Sequence, residues 1–153
     1  TNGLTNGDGT TGGGGSGGSV YVVANVITGM GNITTIGGDG GSQTYDGGGG
    51  AGGRIALYYT TNSFGGNLKA YGGFGPDNAD DGAAGTVYVK SELTNGNLTI
   101  ANNDLGDNDG TLFNESSYTY DSLVVKDGGI ISKMLLINIS SAIDSTSIPL
   151  KLE

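Results

Sequence analysis

Short apolar blocks, separated by glycine and polar clusters, run along the whole chain. Residues 20–28 carry apolar side chains at both odd and even positions, which is typical of a strand covered on both faces. Other short blocks lie between Gly, Asn and Asp turn clusters, and each predicts a strand. These blocks are residues 55–60, 87–90, 98–101, 123–126, 130–132 and 135–139. No window carries good helix formers at helical spacing, so we expect an all-β protein.

The glycine tracts in front of the first two blocks form a repeat with a period of 35 residues. Residues 12–18 read GGGGSGG, and residues 47–53 read GGGGAGG. The correspondence continues downstream, where Gly-Asn-Ile at 31–33 aligns with Gly-Asn-Leu at 66–68. Self-similarity at a fixed period is typical of stacked units that bury a face between neighbours.

A third copy of the unit is degraded. Gly-Ala-Ala-Gly at 82–85 precedes the apolar block at 86–90, and Gly-Asn-Leu recurs at 96–98. Glycine then becomes sparse. We therefore predict a glycine-rich repeat part over residues 1–90 and a glycine-poor β part over residues 91–153. The second part is expected to pack on the same stack and close it.

The glycine tracts allow more than one structure. Without side chains, their backbones can pack side by side as polyproline-II-like extended segments or cross tightly over a sheet. They can also serve as flexible linkers. Tract length and register are preserved between copies whose other residues differ, which favours packing. We predict a β-solenoid or parallel β-helix-like stack with close-packed polyglycine-II-like tracts; the alternative fold is a β-sandwich.

Composition and charge exclude several classes of function. The formal net charge of −9 repels phosphate backbones, so nucleic acid is not an expected partner. The absence of Cys and His excludes disulfides, thiolate or imidazole metal sites and histidine acid–base catalysis. No apolar run approaches the ~20 residues that span a bilayer. The chain begins at Thr1, which fits either a processed protein or a piece of a longer one, and both fit export.

Two acidic clusters are candidate Ca²⁺ sites. Each gathers carboxylates and an amide within a few residues before a glycine, and Ca²⁺ takes 6 to 8 oxygen ligands in flexible geometry. The candidate ligands are Asp77, Asp80 and Asp81 in the first cluster and Asp104, Asp107 and Asp109 in the second. Neither cluster has the full spacing of an EF-hand. The alternative is a pair of solvated turns in which Asp and Asn side chains bind their own backbone.

Four Asn-x-Ser/Thr sequons are candidate glycan attachment sites: Asn32, Asn97, Asn114 and Asn138. The alternative is that these asparagines are ordinary turn and strand residues. Asn32 and Asn97 stand at equivalent repeat positions, which favours a turn preference for asparagine.

Tyrosines within the strand blocks are candidate sugar contacts. An aromatic row on a sheet can form a platform for sugar rings, and the strongest candidates are Tyr58 and Tyr59, with Arg54 placed to meet a carboxylate. The alternative is that these tyrosines pack on the sheet and keep their hydroxyls at the surface.

The C-terminal segment predicts an edge strand. Ile148, Leu150 and Leu152 alternate with other residues, and the intervening proline cannot donate to a central ladder. Such a strand either forms the last element of this domain or pairs with an open sheet of another subunit.

Several motifs together resemble a known group of proteins. GGGGSGGSVYV, GGGGAGGRIALYY, GAAGTVYVK and SYTYDSLVVKDGG are similar to glycine-rich repeats of very large secreted or surface proteins of bacteria and archaea, described as adhesin-like. The resemblance covers residues 12–130. It implies that residues 82–90 close the glycine-rich part and that residues 118–121 open a β-helical part. It brings no catalytic residues.

We therefore expect a non-enzymatic structural or adhesive protein of the cell surface that builds a fibre, filament or matrix. Its expected partners are copies of itself or other surface proteins, and polysaccharide. A carbohydrate-binding module is the first alternative. A β-helical polysaccharide lyase or hydrolase is the second, although it needs a convergent acid and base that the sequence does not place on one strand face.

Overall fold

The computed structural model describes residues 2–4, 12–42, 45–106, 110–112, 118–132 and 137–145, and within these ranges it contains ten strands and no helix. The all-β prediction is confirmed, and each predicted strand block overlaps an observed strand. No helix that could span a membrane occurs in the described ranges. The strands are β1 (Ser19–Gly29), β2 (Asn32–Thr34), β3 (Arg54–Phe64), β4 (Asn67–Lys69), β5 (Thr86–Ser91), β6 (Asn97–Ala101), β7 (Thr111–Leu112), β8 (Tyr118–Lys126), β9 (Ile131–Ser132) and β10 (Ile137–Ser145).

Six strands form one mixed sheet in the order β1-β3-β5-β6-β8-β10. The first three run parallel to one another, and so do the last three, while β5 and β6 pair antiparallel. Two further parallel pairs, β2 with β4 and β7 with β9, form small separate sheets.

The 35-residue period of the sequence repeat equals the offset between paired residues in the first strands. Ser19 pairs with Arg54 in the main sheet, and Asn32 pairs with Asn67 in the small sheet, so equivalent residues of the two copies stand side by side. The third Gly-Asn-Leu segment departs from this arrangement. It turns back through Gly96, which has a φ of 87°, and enters the main sheet as β6. Glycine reaches this φ without the steric cost that a Cβ brings.

The glycine tracts run as extended segments whose amides bond to different neighbours in turn. Donors three residues apart reach the same neighbouring segment, so the second tract bonds to two neighbouring segments through pairs of adjacent amides. In the second tract these bonds are Gly49 N to Asp80 O (2.9 Å), Gly52 N to Ala83 O (2.8 Å), Gly50 N to Gly38 O (2.8 Å) and Gly53 N to Thr35 O (2.7 Å). These amides are therefore paired with backbone carbonyls instead of water.

Close approach of backbones explains why these positions are glycine. A Cβ on Gly50 would overlap the carbonyl of Gly15, and one on Gly73 would overlap the carbonyl of Gly38. A Cβ on Gly48, by contrast, would lie 3.4 Å from the Asp80 carbonyl oxygen, at the near edge of ordinary contact. Inward glycines, whose Cβ would point at a neighbouring backbone, therefore have no room for a side chain. Outward glycines such as Gly48 do have room.

Two apolar clusters lie on opposite faces of the main sheet. Ile55 and Leu57 are buried in the first cluster with Val87 and Val89 packed against it, whereas Leu98 belongs to the second. Since Val87 and Val89 pair with β6 residues that flank Leu98, the buried face changes between β5 and β6.

The prediction that both faces of residues 20–28 are covered is wrong. Tyr21 is 70% exposed and Val23 is 67% exposed, because the first cluster covers only the opposite face of β1.

Candidate functional site

A row of four tyrosines crosses the main sheet. Tyr21, Tyr58, Tyr88 and Tyr120 have neighbouring ring centroids 5.3, 5.8 and 5.9 Å apart, with tilted or edge-on rings. The parallel register aligns the first three rings, because Ala56 pairs with both Tyr21 and Tyr88 and so makes Tyr58 a diagonal neighbour of each. Offset aromatic contacts of this kind stabilise a sheet surface and also provide apolar ring faces and edges to a ligand.

Tyr88 is the most constrained member of the row. Its hydroxyl donates to the Asn95 carbonyl at 2.5 Å, and Gly96 lies against its ring, where a Cβ would be 2.6 Å from a ring carbon. Burial raises the pKa of the Tyr88 phenol, and the nearby Tyr58 and Asp121 raise it further. The glycine therefore lets the row continue across the β5–β6 turn.

The three predicted sugar contacts are only partly brought together. Tyr58 and Tyr59 both line a shallow cleft of 110 Å³, together with Val23 and Lys90. Arg54 stands exposed at the start of β3, four residues before Tyr58, and does not line this cleft.

Two carboxylates of the first acidic cluster accept hydrogen bonds from polar groups of this chain. Asp81 Oδ1 accepts from the Gly75 amide at 2.8 Å, and Asp77 Oδ2 accepts from the Ser42 hydroxyl at 3.4 Å. Asp80 is exposed, as is Asp104, which has a φ of 60°. The described residues contain no group of three carboxylates able to hold a metal ion. Asp107 and Asp109 lie outside the described residues, so the Ca²⁺ sites stay a prediction.

Two of the four sequon asparagines can be placed with their side chains. Asn32 and Asn97 are exposed, and their Oδ1 atoms accept from Asn67 Nδ2 (3.0 Å) and from the Ser122 hydroxyl (2.8 Å). Asn138 lies in β10, and Asn114 lies outside the described residues. Glycosylation at these positions stays a prediction.

The outer edge of β1 faces away from the other described strands of the main sheet. Arg54 N donates to Gly18 O at 3.0 Å, and by the alternation of a parallel ladder the amides of Ser19, Tyr21 and Val23 point away from β3. No described strand pairs with this edge. The predicted assembly strand, with Ile148, Leu150 and Leu152, lies outside the described residues.

Asn102 is a structural residue that the sequence analysis missed. It is fully buried, its Oδ1 accepts from the Gly72 amide at 2.8 Å, and its Nδ2 donates to the Gly82 carbonyl at 3.0 Å. One side chain thus bonds to the two segments that contain Gly72 and Gly82. In the described structure, no further glycine tract pairs with these segments at this point. In the sequence, Asn102 stands in an ordinary Asn-Asn-Asp turn, which gave no sign of burial.

Comparisons with protein-family models, curated proteins and solved structures found no match to this chain.

Proposed function

We propose that this chain is a non-enzymatic structural and adhesive module of the cell surface, built as a β-solenoid whose coils stack through polyglycine-II-like tracts. The observation that supports it most is the register. Equivalent residues of the two copies pair in the main sheet and in the small sheet, and their tracts are bonded to each other by Gly14 N to Gly48 O (2.9 Å) and Gly17 N to Ala51 O (2.8 Å).

The tracts give this scaffold its rigidity. A three-residue alternation of hydrogen bonds is what a left-handed extended helix with three residues per turn requires. Ordinarily such a helix has a solvated backbone, but here Gly38, Gly50, Gly73 and Gly82 donate in succession to one another's segments. A stack fixed by backbone bonds at every level suits a load-bearing role in a fibre or matrix outside the cell.

The open edge of β1 supports assembly by strand addition. Among the described strands, β1 and β10 are the outermost two of the main sheet, so pairing of one copy's β10 with another copy's β1 is a contact between different surfaces. Repetition of such a contact without closure produces a filament.

A matched pair of variants tests this assembly. Val23→Pro removes an outward amide from the β1 edge without removing a β1–β3 hydrogen bond, whereas Val23→Thr keeps the amide and the β-branched shape. We expect the wild type and Val23→Thr to form filaments in negative-stain images and Val23→Pro to remain monomeric by light scattering. A wild type that stays monomeric at every concentration would contradict self-assembly.

A second candidate function is carbohydrate binding at the tyrosine row. The four contiguous rings, with Tyr21 largely exposed, favour it. We expect a glycan array to show binding that Tyr58→Ala removes. Tyr45→Ala, at an exposed tyrosine with no described ring contact, is the control and should leave binding unchanged.

A further inference from the structure

A cleft of 410 Å³ opens beside the outer edge of β4. Its walls come from β4, β5, β6 and β8 and from the turns that follow β6 and β8. Its lining includes Asn67, Leu68, Lys69, Val87, Val124 and Lys126. The cleft lies on the same sheet face as the first apolar cluster, because Val87 and Leu68 also pack against that cluster.

The cleft stands where a third strand of the small sheet would lie. The first two Gly-Asn-aliphatic segments form β2 and β4, which pair with each other over this sheet face. The third segment enters the main sheet as β6 instead, so the β2–β4 ladder ends at β4 within the described residues. The cleft therefore has the surface on which a third strand would pack, but no described residues occupy that position.

Backbone groups of β4 point into this cleft. Asn67 N donates to Gly31 O (3.1 Å), and Lys69 O accepts from Thr35 N (2.9 Å), so residues 67 and 69 face β2. By the alternation of a parallel ladder, the amide and carbonyl of Leu68 face the opposite way. The cleft therefore offers one donor and one acceptor at strand spacing.

Side chains around the cleft define what could pair there. Asn67 Nδ2 donates to Asn32 Oδ1 at 3.0 Å, which starts an amide ladder that a further asparagine would extend. Val87 and Val124 provide an apolar floor for an aliphatic side chain. Lys69 and Lys126, which line the cleft, are two of only six basic residues in the chain. Lys126 Nζ lies 3.2 Å from Asp127 Oδ2.

Two turns, joined by hydrogen bonds, border the far end of the cleft. Asn102 N and Asp104 N both donate to the Asp127 carbonyl, at 3.0 and 2.8 Å. Asn103 and Asp127, which line this end, have φ values of 55° and 50°. Asn and Asp adopt such φ values more readily than other non-glycine residues, which suits them to these turns.

We propose that this cleft binds an extended peptide strand of a partner protein as the third member of the β2–β4 ladder. The strand runs parallel to β4, with asparagine beside Asn67, an aliphatic residue beside Leu68 and an acidic residue beside Lys69. Backbone pairing to Leu68 supplies the alignment, and the side-chain pockets supply the preference, as in other strand-addition sites.

The test uses the labelled peptide Gly-Gly-Asn-Leu-Glu-Thr-Gly-Gly and the full chain. We expect saturable binding in fluorescence anisotropy and a shift of the Leu68 amide resonance. N-methylation of the peptide glutamate removes the amide that donates to Leu68 O, so binding should weaken at least about tenfold. Lys69→Met should weaken it several-fold, while Lys90→Met, on the other face, should not.

Ala101→Phe, which fills the cleft from β6, should abolish binding while circular dichroism stays unchanged. Equal binding of the N-methylated peptide would overturn the proposal, since strand pairing then plays no part. Binding of oligogalacturonate at Lys69 with no response to any peptide would also overturn it and would identify the cleft as an acidic-sugar site.

Discussion

The glycine-rich and glycine-poor halves of this chain both bury apolar side chains, but they differ in how closely their backbones pack. In the first half, backbones approach so closely that a methyl group on Gly50 or Gly73 has no space. In the second half, Leu98, Ile100 and Leu123 fill a conventional apolar core. The comparison shows that the glycine tracts pack backbone against backbone because they have no side chains. The glycine-poor half is stabilised by the side-chain volume that it buries.

The largest predicted loss of stability comes from adding one methyl group to a glycine tract. Gly50→Ala places a Cβ on the Gly15 carbonyl, and we expect a loss of about 4 kcal/mol in unfolding free energy, since two backbones must separate. Gly48→Ala, two residues away and facing outward, should change stability by no more than about 0.5 kcal/mol. Denaturant melts of the two variants measure both values, and similar losses would mean that the tract has no inward and outward sides.

The reverse change should harm the glycine-poor half. Ile100 has no exposed surface, so Ile100→Ala removes buried methylenes and should cost about 3 kcal/mol. Leu112→Ala, at a side chain that is 64% exposed, should cost less than about 0.5 kcal/mol. Thermal and urea unfolding provide the comparison. A cost for Ile100→Ala no greater than for Leu112→Ala would show that the second half is not held by its core.

Asn102 joins the two halves, so its loss should affect the glycine-rich side. Asn102→Ala leaves the Gly72 amide and the Gly82 carbonyl without partners, and we expect a cost of about 2 kcal/mol. Hydrogen exchange at Gly72 should increase more than exchange in β8. A larger increase of exchange in β8 than at Gly72 would contradict this prediction, since Asn102 would then mainly stabilise the glycine-poor half.

Asn102→Asp should add a pH dependence at the same position. Burial raises the pKa of the introduced carboxyl above its unfolded value of about 3.9, so the folded variant binds a proton that the unfolded chain lacks. Its stability deficit against the wild type should therefore shrink as pH falls from 7 towards 4. A deficit that is constant over this range would contradict burial of the side chain.

The smallest predicted effect concerns Tyr88, where the two halves meet at the sheet surface. Tyr88→Phe loses the hydrogen bond to Asn95 and should cost about 1 kcal/mol. Because the folded pKa of Tyr88 is raised, its protonated form contributes stability that is present below the unfolded pKa of about 10 and is lost as pH rises through the folded value. The phenylalanine variant should lose stability less steeply over this alkaline range, and parallel curves would contradict the shift.

The sequence predicted the fold best where the chain repeats. The 35-residue alignment became the pairing register, with Ser19 beside Arg54 and Asn32 beside Asn67. Tract packing was also accessible, because the non-glycine residues at each tract lie three positions apart. Ser16 and Ser19 have this spacing in the first copy and Ala51 and Arg54 in the second, and all four are exposed. A three-residue period in the tracts, read from the sequence, predicts two inward positions and one outward position.

The remaining features depend on contacts that no local pattern shows. The third Gly-Asn-Leu segment matches its two predecessors, yet it turns back at Gly96 against the ring of Tyr88 and forms β6. Asn102 is buried beside two segments distant in the sequence, to which it bonds at Gly72 and Gly82. Apolar residues on both sides of β1 predicted two covered faces, but residues such as Tyr21 line an exposed aromatic row instead.

Amide hydrogen exchange along residues 47–53 tests most directly the claim that the glycine tracts are packed. We predict slow exchange at Gly49, Gly50, Gly52 and Gly53, comparable to β3, because each amide donates to a backbone carbonyl. Gly48 and Ala51, whose amides have no acceptor among the described residues, should exchange fast. Uniformly fast exchange through the tract would show a flexible linker and contradict the account.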